Sequence, residues 1–357
     1  MTTAPRLTIK LPALAQNWQL LREKSGEAEA SAVVKANAYG LGIEQIVPVL
    51  VDAGCKTFFV AMVEEGVRVR AAAPDARVFV LNGIFRDTIE TAIEHGLSPV
   101  LSSMDQIAMW VSAGGGKPCA IHLDTGMNRL GLSLEEAEKL AGNASLLSKT
   151  GAQVIMSHLA CADDPEHELN QTQLSRFQEI TSLFSGLKKS LANSAAVLSN
   201  PEMPFDLTRP GIAIYGGEAV NDIPNPMQPV VIAETRILQI RNAKKGDAVG
   251  YGAAHVLERD SRIAICSAGY ADGFHRSSSG SGVPLRRANA MGGFGAIGER
   301  RVAILGRVSM DLTAFDVTDI PPQTLEETGW IELFGNNISI DDAARACGTI
   351  GYELLTG

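Results

Sequence analysis

A chain of 357 residues suggests two domains, and 45% hydrophobic against 20% charged residues fits a globular protein with a sizeable core. A formal net charge of -9 argues against a nucleic-acid phosphate backbone as partner. The opening MTTAPRLTIK has no basic segment leading into an apolar run, and no stretch approaches the roughly 20 apolar residues of a membrane helix. No secretory signal, no membrane association and a cytoplasmic location are therefore expected.

In chain order, Leu14, Trp18, Leu20 and Leu21 sit at helical spacing and predict an amphipathic helix over 11–24. Short β-branched or apolar runs then recur at 31–35, 57–62, 77–81, 98–102, 118–123, 152–158, 189–193 and 206–209. Between most of them lie helical patterns such as RDTIETAIEHG, MDQIAMWVSAG, LEEAEKLAG and HELNQTQLSRFQEITSLFSG; the connection after 193 is short. Strands alternating with connections of helix length imply parallel pairing. Eight such units closing on themselves make a (β/α)8 TIM-like barrel over 11–227, with an open doubly wound sheet as the alternative.

From about Gln228 the texture changes. VVIAETRILQIRNAKKGDAVGYG, RIAICSAGYADG and RVAILGRVSMDLTAFDV are strand patterns with Gly-rich turns, so 228–357 reads as a separate, mostly β C-terminal domain. The opening strand RLTIKL, within 1–10, is expected to join it. The Ser-, Gly- and Arg-rich stretch 275–297 reads as a long surface loop. Five scattered cysteines, Cys55, Cys119, Cys161, Cys266 and Cys347, form no CxxC pair and read as reduced, buried thiols; no metal site is expected.

Side chains at the carboxyl ends of barrel strands face the active site. Lys35 ends the apolar run AVV, Arg129 follows the fifth strand, His158 ends QVIMSH, Asn193 and Ser194 follow the seventh strand, and Arg209 lies at the eighth. One lysine and two arginines around a single mouth suit an anionic ligand, and Gly211 and Ile212 offer backbone N–H groups to a phosphate. Each residue has a plainer reading. Lys35 can be a solvated edge residue, His158 a hydrogen-bonded structural histidine, Arg129 and Arg209 ion-pair partners of Asp124 and Asp206, and Tyr251 a turn cap with a packed ring.

The segment AVVKANAYGLG resembles the cofactor-lysine motif of alanine racemases. HLDTGMNRLG, MSHLACAD, ANSAA, RPGIAIYG, VGYG, GYADG, GRVSMD and GYE match the same family's pattern in order, between residues 33 and 353. Any one short motif is weak evidence; the ordered set is specific. The resemblance implies the barrel-plus-β-domain fold, pyridoxal phosphate as cofactor, and interconversion of L- and D-alanine for peptidoglycan supply or alanine catabolism.

It also implies roles. Lys35 carries the cofactor as an imine and serves as one acid/base group; Tyr251, supplied by the partner subunit of a homodimer, is the other. Tyr39, Ser194, Tyr352 and the backbone of Gly211 and Ile212 hold the phosphate. Arg209 faces the pyridine nitrogen, Arg129 faces the phenolic oxygen and the substrate, and His158 lies between Arg209 and Tyr251. Met310 helps receive the substrate carboxylate, and Asp163, Tyr270 and Arg307 line the access corridor. Two groups on opposite faces of a planar cofactor remove and deliver the α-proton, alternating as acid and base. An arginine at the ring nitrogen, already protonated, weakens the electron sink.

Three positions depart from that pattern. Many members carry a lysine modified by carbon dioxide where this chain has His122, so Arg129 needs another anchor: neutral His122, Asp124 or a bound small anion, of which the anion is favoured. Ser309 stands where a cysteine is common, and the 275–297 stretch is long. A non-catalytic pyridoxal-phosphate carrier would lack residues 228–357, and a related decarboxylase would place an acidic group where Arg209 stands. A metal site from His158, Asp163, Asp164 and His167 is disfavoured because DDPEH reads as the start of a helix.

Overall fold

The computed structural model of the chain describes residues 4–281 and 292–357. The chain divides into two compact units, Leu11–Gln228 and a second that joins the stretch ending at Lys10 to Pro229–Gly357. Among the described residues no helix is long and apolar enough to cross a membrane.

After β1 (Arg6–Ile9), which belongs to the second unit, the first unit opens on the helix Leu11–Lys24. Its apolar stripe buries Leu14, Trp18 and Leu21 as the spacing predicts, together with Ala13, while Leu20 is only half-buried. Asn17 on the same face donates to the carbonyls of Ile214 and Gln228 and accepts from the Gln228 N–H, closing the start of the unit onto its end.

The strands are β2 (Glu29–Ala30), β3 (Ala32–Val33), β4 (Thr57–Val60), β5 (Arg77–Val80), β6 (Ser98–Leu101), β7 (Cys119–His122), β8 (Ala152–Met156), β9 (Lys188–Ser190) and β10 (Leu207–Thr208). β3 to β9 form one parallel sheet in sequence order. β2 and β3 are halves of one run around Ser31. β10 closes the ring: Glu29, Ser31 and Val33 donate to the carbonyls of Asp206, Thr208 and Pro210, while Asp206 and Arg209 donate to those of Lys189 and Ala192. The barrel reading therefore holds over the open-sheet alternative. Strands covered on both sides have no polar face to show, which is why Phe58, Phe59 and Val60 are all buried.

Several boundaries differ from expectation. The first strand begins earlier and stops at Val33, leaving Lys35 outside it, and the last two strands are short. At the mouth the chain leaves regular pairing to place side chains, so apolar runs overstate strand length there.

In the second unit the strands are β11 (Val231–Ala243), β12 (Ala248–Val249), β13 (His255–Val256), β14 (Ser261–Cys266), β15 (Phe294–Ile297), β16 (Arg300–Leu305), β17 (Thr313–Asp316) and β18 (Trp330–Phe334). The order β1-β11-β14-β17-β16-β15-β18 closes on itself because β18 also pairs with β11. Register shifts at Ala233/Glu234 and between Ile237 and Gln239 interrupt β11, whose first half pairs with β1 and β18 and whose second half pairs with β14. Phe315, Ile331, Leu333 and Val302 fill the interior. The helix Pro322–Thr328 lies between β17 and β18, and Ile340–Cys347 and Gly351–Thr356 follow β18, more helix than the strand texture suggests. The loop reading of 275–297 is corrected in part: 294–297 is β15, paired with β16 and β18, and 282–291 lie outside the described residues.

Candidate active site

Lys35 opens a turn whose next four residues all adopt left-handed backbone: Ala36, Asn37, Ala38 and Tyr39 have φ between 51° and 55°. For L-residues this costs about 1–2 kcal/mol each, so the surroundings must impose it. Ala38 and Gly40 donate to the carbonyls of Val34 and Ala36 (2.9 and 2.8 Å). The Asn37 N–H donates to the Glu65 carboxylate at 3.1 Å. The Asn37 side-chain oxygen accepts from Ile43 N–H (3.2 Å) and from Arg68 (2.6 Å). Burial, and next the Arg129 charge, hold the Lys35 amine below the usual lysine range, with Glu65 opposing.

Arg209 is 3% exposed, and its hydrogen-bond partners are neutral: Ser190 Oγ and the Ser157 carbonyl, both at 2.5 Å, and the Leu191 carbonyl at 3.3 Å. The alternative pairing with Asp206 does not form, because that carboxylate accepts from the Lys189 N–H at 2.7 Å. Burial without a counter-charge lowers the Arg209 pKa to about 9, still cationic at neutral pH. Nor does Arg129 pair with Asp124, whose Oδ1 accepts from the N–H groups of Gly126, Met127 and Asn128. His158 follows β8; burial, then the charges of Arg209, Arg129 and Lys35, push its pKa well below the ordinary value. His122, at the end of β7, is held down at about 4 by burial, Arg209 and Arg129, against Asp124. Its buried Nδ1 has no hydrogen-bond partner among the described residues. Lys35, His122, Arg129, His158 and Arg209 thus share one electropositive mouth, and both imidazoles are neutral there.

Beside that mouth, Ser194 Oγ accepts from the N–H groups of Gly211 (2.7 Å) and Ala213 (3.4 Å). Tyr39 stacks on Tyr215 with ring centroids 4.4 Å apart, and the Tyr215 hydroxyl donates to the Val33 carbonyl at 3.0 Å. Any Cβ at Gly211 would lie 2.4 Å from the Tyr39 hydroxyl. Ser194, Tyr39, Gly211 and Ile212 therefore converge on one patch at the ends of the first, seventh and eighth barrel strands.

In the second unit Tyr251, 72% exposed, lines a cleft of about 520 Å³ with Arg307, Ser309 and Thr313. Gly252 has φ +70°, and a Cβ there would lie 2.8 Å from the Arg307 guanidinium. The N–H groups of Tyr270 and Ala271 donate to the carbonyls of Ser309 and Met310. Tyr251, Tyr270, Arg307 and Met310 thus all belong to this unit, as does Tyr352 on the helix Gly351–Thr356. Asp163 belongs to the first unit, bonded through its carbonyl and carboxylate to Asn221. His167 accepts from the Leu169 N–H and starts a helix.

The site contains residues that the sequence reading passed over. Glu65 and Tyr215 support the Lys35 turn; Ser157 and Ser190 hold Arg209. Tyr215 lies inside RPGIAIYG and was within reach of motif reading, whereas Glu65 in MVEEGVRVR looks like any acidic residue in a first helical turn.

Residues 9–219 match the family model described as alanine racemase, N-terminal domain, and residues 230–357 match the one described as alanine racemase, C-terminal domain. A relative from Agrobacterium fabrum named "Alanine racemase, biosynthetic" is 50% identical over 355 residues, covering 99% of this chain and 91% of its own. An alanine racemase from Rhizobium meliloti is 51% identical over 359 residues, covering 100% and 95%. The crystal structure of alanine racemase from Bartonella henselae with covalently bound pyridoxal phosphate superposes with TM-score 0.89 at 34% identity, covering 99% of this chain and 97% of that one. With both halves matched and identity of this extent, the chain belongs to the alanine racemase family.

Proposed function

We propose that the protein interconverts L- and D-alanine with pyridoxal phosphate as cofactor, the Leu11–Gln228 barrel binding the cofactor and the β unit supplying Tyr251. The observation that carries this reading is the depressed pKa of Lys35 in the electropositive mouth, next to the patch of Tyr39, Ser194 and Gly211. A lysine that loses its proton more readily is the amine form that attacks an aldehyde. Two hydroxyls with backbone N–H groups suit a phosphate, and the lack of a Cβ on Gly211 keeps their cradle open. The residues present therefore fit the cofactor.

In this reading Lys35 Nζ attaches the cofactor, and Tyr39, Ser194, Gly211, Ile212 and Tyr352 hold its phosphate. The bound cofactor supplies an electron sink for the α-carbon of alanine. Arg209 is assigned to the ring nitrogen: a guanidinium already protonated donates a hydrogen bond there and removes the need for a ring proton. Arg129 takes the ring oxygen and, with Met310, orients the substrate carboxylate. Once its nitrogen is free of the cofactor, Lys35 would take or give a proton at Nζ on one face of the α-carbon while Tyr251 Oη would give or take one on the other, which inverts the stereocentre. Neutral His158 orients the tyrosine hydroxyl, and Asp163, Tyr270 and Arg307 line the access route.

Tyr251 belongs to a homodimer's shared site in this reading, each subunit completing the other's. Cys55, Cys119, Cys161 and Cys266, none of them in a disulfide, favour a reducing, cytoplasmic setting, and D-alanine would serve peptidoglycan synthesis or alanine would be drawn into catabolism. The test is Lys35→Ala: borohydride should fix cofactor to the wild-type chain at Lys35 and not to the variant, and chiral analysis should show racemisation lost. Cofactor still fixed to the variant chain would refute the assignment.

A further inference from the structure

Glu65 is the third residue of the helix Val63–Ala72, and its carboxylate accepts from the N–H groups of Ala61 (2.8 Å) and Met62 (3.2 Å). Capping its own helix needs no more than these. The remaining oxygen accepts from Asn37 N–H at 3.1 Å, 28 residues earlier, in the middle of the left-handed turn. Arg68, one turn further along the helix, donates to the Asn37 side chain and is held by both oxygens of Glu44 at 2.7 Å. The two loops at the ends of the first and second barrel strands are thus joined at Asn37. Lys35 and Tyr39 flank that point, so its location sets where the amine and the phenol stand.

We propose that Glu65 is a positioning residue for the cofactor: its carboxylate pins the left-handed turn through Asn37 and so fixes Lys35 and Tyr39 relative to each other. This rests on the reading that Lys35 carries the cofactor. The negative charge of Glu65 also raises the proton affinity of Lys35 against burial and Arg129, so it tempers the amine as well as placing it.

The test compares the wild type with Glu65→Gln and Glu65→Asp. It measures acetylation of Lys35 against pH in the cofactor-free protein by peptide mass spectrometry, the dissociation constant of pyridoxal phosphate, and the unfolding midpoint. Glu65→Gln puts an amide N–H₂ where an oxygen accepts and removes the charge. It should move Lys35 acetylation to lower pH and weaken cofactor binding about tenfold. Glu65→Asp keeps the charge one methylene too short to reach both the helix start and Asn37. It should weaken binding while moving the acetylation curve less, and it carries the test should the glutamine variant not fold. Wild-type affinity and a wild-type acetylation curve in the folded variants, whatever the unfolding midpoint does, would overturn the inference and leave Glu65 a helix cap. Borohydride fixing the cofactor to a residue other than Lys35 in the wild type would instead overturn the reading of Lys35.

Discussion

Gly211→Ala places a methyl carbon 2.4 Å from the Tyr39 hydroxyl, 3.3 Å from the ring carbon that bears it and 3.6 Å from the Val33 Cβ. Ordinary contact lies near 3.4 Å, so the hydroxyl must retreat by about 1 Å, and because its C–O bond is fixed in the ring plane the whole ring must move with it. The ring has little room to yield, because it stacks on buried Tyr215 and its own backbone is left-handed. Overpacking of this kind costs about 1–3 kcal/mol. If the hydroxyl also binds the phosphate, losing that charge-assisted bond should weaken cofactor affinity by roughly tenfold to a hundredfold. Titration of cofactor-free protein with pyridoxal phosphate, alongside thermal unfolding, reads both effects. The double variant Gly211→Ala with Tyr39→Phe removes the atom struck at 2.4 Å. It should recover about 1 kcal/mol or more of the single variant's lost stability, a non-additive cycle expected only of groups in contact. Additive losses, or wild-type cofactor affinity in Gly211→Ala, would refute both the clash and the place given to Tyr39.

Mixing inactive Lys35→Ala with inactive Tyr251→Phe should regenerate activity as subunits exchange, because a mixed dimer has one site with both groups intact; exchange without recovery would count against shared sites. With His122 neutral down to about pH 4 and Asp124 engaged by backbone, a small anion is expected to hold Arg129. Activity should then fall on dialysis into a bulky counter-ion, return with chloride and ignore dissolved carbon dioxide, whereas full activity without small anions would leave His122 as the anchor. At the opposite end of the barrel, Glu29 accepts from Thr57 at 2.5 Å and from Arg77, with Lys188 at 3.7 Å. Burial alone would raise its pKa, but these partners together lower it below the usual 4.5. Glu29→Gln should therefore cost about 1–2 kcal/mol near pH 7. Because the folded pKa is the lower one, that difference should be present above pH 4.5 and vanish as pH falls through the folded value; a pH-independent difference measured by denaturant unfolding would contradict this account.

The alternation of apolar runs with helical stretches was enough to read a parallel barrel, because strands covered on both faces must be apolar along their length and parallel crossovers need a helix's worth of chain. The change to alternating patterns after Gln228 marked the β unit for the same kind of reason, and the ordered motifs singled out Lys35, Arg129, His158, Ser194, Arg209 and Tyr251 as candidates. What the sequence left undecided lies in contacts between distant segments. Ala36, Asn37, Ala38 and Tyr39 have no local preference for left-handed backbone as a run, and Glu65 supplies a bond from 28 residues away. Arg209 has Asp206 three residues off, yet Asp206 is taken by the Lys189 backbone and Arg209 bonds neutral oxygens of Ser157, Ser190 and Leu191. The sequence leaves the proton affinity of His122 and His158 open, and burial beside two guanidinium groups holds both below the ordinary imidazole value. Periodicity records which side of an element is buried, and so it yields the architecture. Protonation states and strained turns depend on which charges and donors the closed barrel brings within a few ångströms, and only the tertiary structure decides that.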